Sequence, residues 1–177
     1  MKSKNTKING LKIISGKNYY DSRGFFKEIY VKKKFKKHNP IFWCMSKSKK
    51  NVLRGLHLQT KNSQEKFVSV IKGKIFDVIV DLRKKSKTFG KHFKIILSEK
   101  NAKSVLIPSG CAHGFLGLDK ENIVLYSNNN YRSKKSETGL IWNDRKLKIN
   151  WPKKILILLL PLFVLLSLQH LKKVQSL

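Results

Sequence analysis

Two short blocks hold most of the chemistry-bearing residues in this chain. Arg54-Gly55-Leu56-His57-Leu58-Gln59 is answered by Pro108-Ser109-Gly110-Cys111-Ala112-His113-Gly114-Phe115, and each block sets a histidine beside a glycine in a strand-favouring run. Neighbouring strands would then carry two imidazoles into one interior. Imidazole titrates near neutral pH, so His57 could take a proton from a carbon next to a carbonyl. The enolate so formed needs cationic or hydrogen-bonding support, which Lys66 or His113 could give in a dry pocket. Returning the proton to the opposite face requires a second acid. Tyr126, on a strand after the second block, carries a suitable group.

Two other readings stand beside this one. Histidines in strands are often simply hydrogen-bonded core residues. Alternatively, a metal could be held, as in barrels that use two histidines from one motif, a carboxylate, and a third histidine from a second motif. Here Gln59 stands where the second histidine would be, Glu65 offers the carboxylate and His113 the last ligand. An amide oxygen is a poor ligand for divalent transition metals, so that set is incomplete.

The elements that must position these groups read as short strands at 11–14, 25–30, 41–45, 52–58, 66–71, 75–82, 92–97, 105–107 and 123–127. Stretches with turn formers separate them: Tyr19-Tyr20-Asp21-Ser22-Arg23-Gly24 within an opening hairpin, Asn39-Pro40, Lys72-Gly73-Lys74 and Thr88-Phe89-Gly90. The stretch Ile75-Phe76-Asp77-Val78-Ile79-Val80-Asp81-Leu82 has the β-branched richness of a buried strand. The polar 46–51 stretch reads as a connection, and the basic run 32–37 as solvent-facing. Even strand spacing, without a sustained 3.6-residue apolar period, predicts an all-β sandwich or barrel, and a double-sheet jelly roll suits the strand count.

A length of 177 residues fits one domain with a real core. The net charge of +29 suits polyanions in principle. The lysines are spread along the whole chain, however, with no aromatic interleaving, so we read a solvated lysine surface and no nucleic-acid partner. A small anionic substrate such as a nucleotide diphosphate fits the same charge. Cys44 and Cys111 follow no metal or redox spacing and read as small core residues of a reducing compartment. The basic N-terminus precedes no apolar run, so a cytoplasmic location is expected.

After Trp142-Asn143-Asp144 and Trp151-Pro152 the character of the chain changes. Residues 155–168 are almost wholly apolar, with Pro161 in the middle. A bilayer span needs about 20 such residues, so membrane contact by this tail is the weaker reading.

Taken together, these motifs resemble the dTDP-4-dehydrorhamnose 3,5-epimerases, enzymes of deoxysugar-nucleotide biosynthesis with a cupin-like double-stranded β-helix. The resemblance runs from about Leu11 to Pro152. It is carried by Asp21-Ser22-Arg23-Gly24-Phe25-Phe26-Lys27-Glu28, the two histidine blocks, Gly73-Lys74-Ile75-Phe76-Asp77-Val78, Thr88-Phe89-Gly90-Lys91 and Trp142-Asn143-Asp144. It implies that His57 removes the C3 and C5 protons of a dTDP-linked 4-keto-6-deoxyhexose and that Tyr126 protonates from the other face. Lys66 would steady O4, with His113 close to the sugar, Arg54 on the diphosphate and Glu137 lining the pocket. Arg23 and Glu28 would meet the nucleotide across a homodimer interface. No metal or other cofactor is implied, and the product would feed synthesis of lipopolysaccharide or another cell-surface polysaccharide.

Two departures from the family pattern matter. Phe42-Trp43-Cys44-Met45 stands where the family has a polar, substrate-touching run. A Leu-Ser-x-Lys-Asp segment, whose aspartate orients the catalytic histidine, is due after Trp151-Pro152, yet no acidic residue follows Asp144. We therefore expect an epimerase domain over 1–152 and an atypical apolar tail over 153–177, read as a frameshifted ending that impairs activity. A single-carbon epimerase, a ketoisomerase or a non-catalytic sugar-nucleotide-binding relative remain the alternatives.

Overall fold

The computed structural model describes residues 1–35, 37–152, 157–159 and 165–168. Its strands in chain order are β1 (Lys2–Asn5), β2 (Lys12–Ser15), β3 (Asn18–Asp21), β4 (Gly24–Lys27), β5 (Phe42–Lys49), β6 (Val52–Gln59), β7 (Lys66–Lys72) and β8 (Lys74–Asp81). They continue with β9 (His92–Ser98), β10 (Lys103–Ile107), β11 (Cys111–Gly117), β12 (Glu121–Asn128), β13 (Glu137–Leu140), β14 (Ile157–Leu159) and β15 (Leu165–Leu166). One sheet has the order β1-β2-β10-β7-β12-β5. The other runs β15-β13-β6-β11-β8-β9, with β14 also on β6, and β3–β4 forms a separate hairpin.

The pleat decides what lies between the two sheets, because alternate side chains of a strand face opposite ways. Val68 and Val70 of β7, Val105 and Ile107 of β10 and Val124 of β12 meet Ile75 and Ile79 of β8 and Cys111 and Phe115 of β11 in one buried cluster. This is the all-β jelly roll expected from the strand spacing. The outer face of the second sheet is covered by Leu140, Leu147 and Leu168, with Trp151 packed against them. Phe35 covers Phe67 and Leu106 on the outer face of the first.

Several details differ from the sequence reading. The opening hairpin is not 11–14 with 25–30: β2 pairs β1 and β10, and β3 pairs β4. Tyr19 and Tyr20, read as part of a turn, are strand residues facing Phe26 and Phe25 across the hairpin, with ring centroids 6.4 and 5.6 Å apart. The turn shrinks to Ser22-Arg23, where Asp21 Oδ1 accepts the Arg23 backbone N–H at 2.9 Å. β5 runs through the polar stretch to Lys49, paired along its length with β12. Within the basic run, Lys33 and Lys34 are exposed but Phe35 is buried.

Of the apolar tail, β14 lies parallel to β6 with Ile157 opposite Val52, β15 lies parallel to β13, and the Leu168 N–H is accepted by Asp144 Oδ2 at 2.8 Å. Residues 153–156, 160–164 and 169–177, on which the membrane and frameshift expectations largely rest, lie outside the described residues. Among the described residues, no helix is long and apolar enough to cross a membrane.

Candidate active site

The glycines of the two blocks explain themselves first. β6 and β11 are antiparallel neighbours, and their register is interrupted between His113 and Phe115. There Gly55 and Gly114 touch: a Cβ on Gly55 would sit 2.5 Å from Gly114 Cα, and one on Gly114 2.6 Å from the Arg54 carbonyl oxygen. Only glycine permits that approach, and Gly55 has φ +103° besides. The same pairing sets His57 directly opposite His113.

The facing sheet supplies the other groups. On β7 and β12 the inward parity that carries Val68, Val70 and Val124 continues to Lys66, Tyr126 and Asn128, which leave the apolar core and enter a cavity of about 640 Å³. In register, Asn128 lies opposite Lys66 and Tyr126 opposite Val68. His57, Tyr126, Arg54, Lys66, His113 and Glu137 all line this one cavity. Arg23 and Glu28 do not. Both are exposed at the β3–β4 hairpin, and Arg23 pairs with Asp21 at 2.7 Å.

Burial governs the electrostatics here. Loss of water pushes the His57 imidazole well below its ordinary pKa, and Lys66, His113, Arg132 and Arg54 push it the same way, so at neutral pH the ring is uncharged and able to accept a proton. Lys66 is brought down to about 8, chiefly by desolvation, with Glu137 opposing. Desolvation raises the Tyr126 phenol, partly offset by its 3.1 Å hydrogen bond with Ser46 Oγ, so it stays protonated. The site thus offers a neutral base, an ammonium and a phenol.

Other groups complete it. His113 Nε2 lies 2.7 Å from Asp77 Oδ2, both side chains buried. Sequence reading placed Asp77 within a buried strand and a family motif without a role, although a carboxylate in the middle of an apolar strand was a readable signal. Arg54 is aimed by Ser48 Oγ, which accepts its Nε–H at 2.7 Å, and by the Lys47 carbonyl at 3.1 Å from Nη2. Arg132 and Lys134 add charge at the rim, and Arg132 Nε donates to Glu137 Oε1 at 2.6 Å.

Two readings need correction. Cys44 is exposed on the cavity wall, not in the core, because β5 is an edge strand whose residues 43–45 are open to solvent. Glu65, the carboxylate of the metal alternative, turns the opposite way from its neighbour Lys66 and lies 2.6 Å from His38 Nδ1. That metal set does not assemble.

A jelly roll whose mouth gathers neutral imidazole, ammonium and phenol has the equipment of a proton-transfer isomerase on the cupin fold. The family model described as dTDP-4-dehydrorhamnose 3,5-epimerase matches residues 5–167. The chain is 43% identical over 153 residues to the dTDP-4-dehydrorhamnose 3,5-epimerase of Salmonella typhimurium, covering 83% of this chain and 84% of that relative. A Legionella pneumophila dTDP-6-deoxy-D-glucose-3,5-epimerase, solved in complex with dTDP-4-keto-L-rhamnose, superposes with TM-score 0.85 at 39% identity, covering 89% of this chain and 87% of that one. A 4-keto-6-deoxy sugar epimerase from the novobiocin biosynthetic gene cluster of Streptomyces spheroides does so with TM-score 0.93 at 27% identity, covering 100% and 92%. The chain belongs to the dTDP-4-dehydrorhamnose 3,5-epimerase family.

Proposed function

We propose that this protein epimerises dTDP-4-dehydro-6-deoxyglucose to dTDP-4-dehydrorhamnose, at C3 and C5, without a cofactor. The observation that carries the reading is the placement of His57 on one sheet and Tyr126 on the facing sheet of the same cavity. His57 takes the proton from the carbon beside the 4-keto group, and the C–H electron pair moves into the enolate. The Lys66 ammonium stabilises the charge on O4. Tyr126 then gives its phenolic proton to the opposite face of the same carbon. The phenolate is reprotonated and the imidazolium deprotonated through water, so no oxidant or reductant is needed.

Arg54 presents its remaining N–H groups to the diphosphate, where a guanidinium fork suits phosphate oxygens. Arg132 and Lys134 reinforce it at the rim. A second copy of the chain covers the exposed aromatic hairpin, where Tyr20 and Phe26 are each more than 65% exposed, and this homodimer brings Arg23 and Glu28 to the partner's nucleotide. The enzyme works in the cytoplasm. Residues 1–152 form the epimerase domain. Because the family's C-terminal aspartate has no counterpart after Asp144, 153–177 is a frameshifted ending and turnover is reduced.

Product made in heavy water tests the reaction: the account expects deuterium at both C3 and C5, with inversion at each. Deuterium at one carbon only would establish the single-carbon alternative, and none would leave a binding protein. Activity lost to a strong chelator would overturn the cofactor-free mechanism. A neighbouring reading frame with no Ser-x-Lys-Asp-like peptide would dismiss the frameshift.

A further inference from the structure

Behind the cavity, on the reverse face of the first sheet, a second set of reactive side chains meets. His38 is 1% exposed; its Nδ1 lies 2.6 Å from Glu65 Oε1 and its Nε2 3.1 Å from Ser127 Oγ. Carboxylate, imidazole and hydroxyl in that order is the arrangement that activates a serine nucleophile. A nucleophile must meet its substrate, though, and Ser127 is fully buried and lines neither the active-site cavity nor the other described cavity, near Arg83. The hydrolytic reading fails on access.

The period of the strands gives the group a different task. Glu65 immediately precedes Lys66, and Ser127 immediately follows Tyr126. Successive side chains of a strand point to opposite faces. His38 therefore grips the backs of the two strands whose fronts carry the ammonium and the phenol. The grip is anchored on both sides. The His38 carbonyl accepts from Tyr30 Oη at 3.1 Å and from Lys32 Nζ at 2.7 Å, and the Tyr30 ring packs edge-on against both His38 and Phe67. On the other side, the Glu65 backbone N–H donates to Asn129 Oδ1 at 2.8 Å, while Ser127 pairs with Phe67 and Asn128 with Lys66 in the ladder.

We propose that His38 is a positioning residue for the epimerisation: by bridging Glu65 and Ser127 it fixes the spacing of Lys66 and Tyr126 along one wall of the cavity. Its kinetic consequences rest on the role assigned to Tyr126 above. Near-attack geometry is sensitive to displacements of about 1 Å, so loosening the bridge should slow protonation more than it weakens binding.

Because replacing His38 itself risks unfolding, the test removes its arms one at a time in the full chain, with Ser127→Ala and Glu65→Leu, and keeps an acceptor for Nδ1 in Glu65→Gln. Three quantities are read: kcat and KM for inversion, the ratio of deuterium wash-in to inversion, and the ¹⁹F resonance of 3-fluorotyrosine at Tyr126, assigned by its loss in Tyr126→Phe. We expect Ser127→Ala and Glu65→Leu to lower kcat about tenfold with KM within about twofold, to raise the exchange-to-inversion ratio, and to shift or broaden the Tyr126 resonance. Glu65→Gln should restore all three. A lower melting temperature with kcat, ratio and resonance all unmoved in both variants would overturn the proposal. If Tyr126→Phe leaves the ratio untouched, the acid assignment fails, while the resonance alone still decides the bridge.

Discussion

Two buried imidazoles of this molecule each lie against a carboxylate, and the two pairs are nearly identical in length: His113 with Asp77 at 2.7 Å, His38 with Glu65 at 2.6 Å. Their positions separate them. His113 faces inward from β11 and lines the cavity, with Asp77 sealed behind it on β8. His38 sits on the outer side of the first sheet, where Glu65 is a quarter exposed. The pair alone does not make a catalytic group. The pleat that turns Lys66 inward turns Glu65 outward, so strand parity leaves one histidine on the cavity wall and the other on the framework behind it.

His113→Leu leaves Asp77 buried, and Asp77 Oδ1 has no hydrogen-bond partner among the described residues. Removing one partner of such a pair costs about 3–5 kcal/mol, whereas Ser127→Ala, which deletes one hydrogen bond, should cost about 1 kcal/mol. Urea denaturation of the two variants checks the ranking, and equal losses would erase the distinction. Tyr126→Phe should slow inversion about 100-fold, in the range for losing a general acid, while retaining measurable wash-in.

The pH profile comes next. His57 must be neutral to act, and its pKa lies below the usual histidine value, so activity is lost only as pH falls well below 6.5. Lys66 must be charged, and its pKa is about 8, so activity is also lost as pH rises through 8. A plateau between the two limbs is expected, about tenfold above the rate one unit beyond either pKa. In Lys66→Arg the alkaline limb should disappear, since guanidinium keeps its charge. The smallest effect is that of Arg54→Lys, which exchanges a fork for a point charge and should raise KM about five- to tenfold with little change in kcat.

Much of this could be read before the fold was in hand, and particular residues show why. Alternating apolar runs such as 75–82 specify buried strands, and a histidine beside a glycine at a close crossing leaves a signature in Arg54–Gln59 and Pro108–Phe115. The strands of β1 and β13 are polar and exist because a neighbour offers its backbone, information a local pattern does not hold. β5 was shortened for the same reason: Ser46 and Ser48 look like a loop but point toward Tyr126 and Arg54. The jelly-roll class was therefore legible while the edges of its sheets were not. In the site, His57, Tyr126, Arg54, Lys66, His113 and Glu137 were named from the motifs and the family resemblance. Asp77 went unassigned because its partner His113 is distant in sequence, Arg132 because it lies on the loop before β13, and Arg23 and Glu28 cannot be joined to the cavity within one chain.

The central claim is that a single uncharged imidazole, His57, breaks the carbon–hydrogen bond. The direct measurement is deuterium incorporation from heavy water into dTDP-4-dehydro-6-deoxyglucose by the His57→Asn protein, beside Tyr126→Phe under the same conditions. The account predicts that exchange vanishes in the first, at C3 and C5 alike, and persists in the second. Exchange at the wild-type rate in folded His57→Asn protein would contradict it.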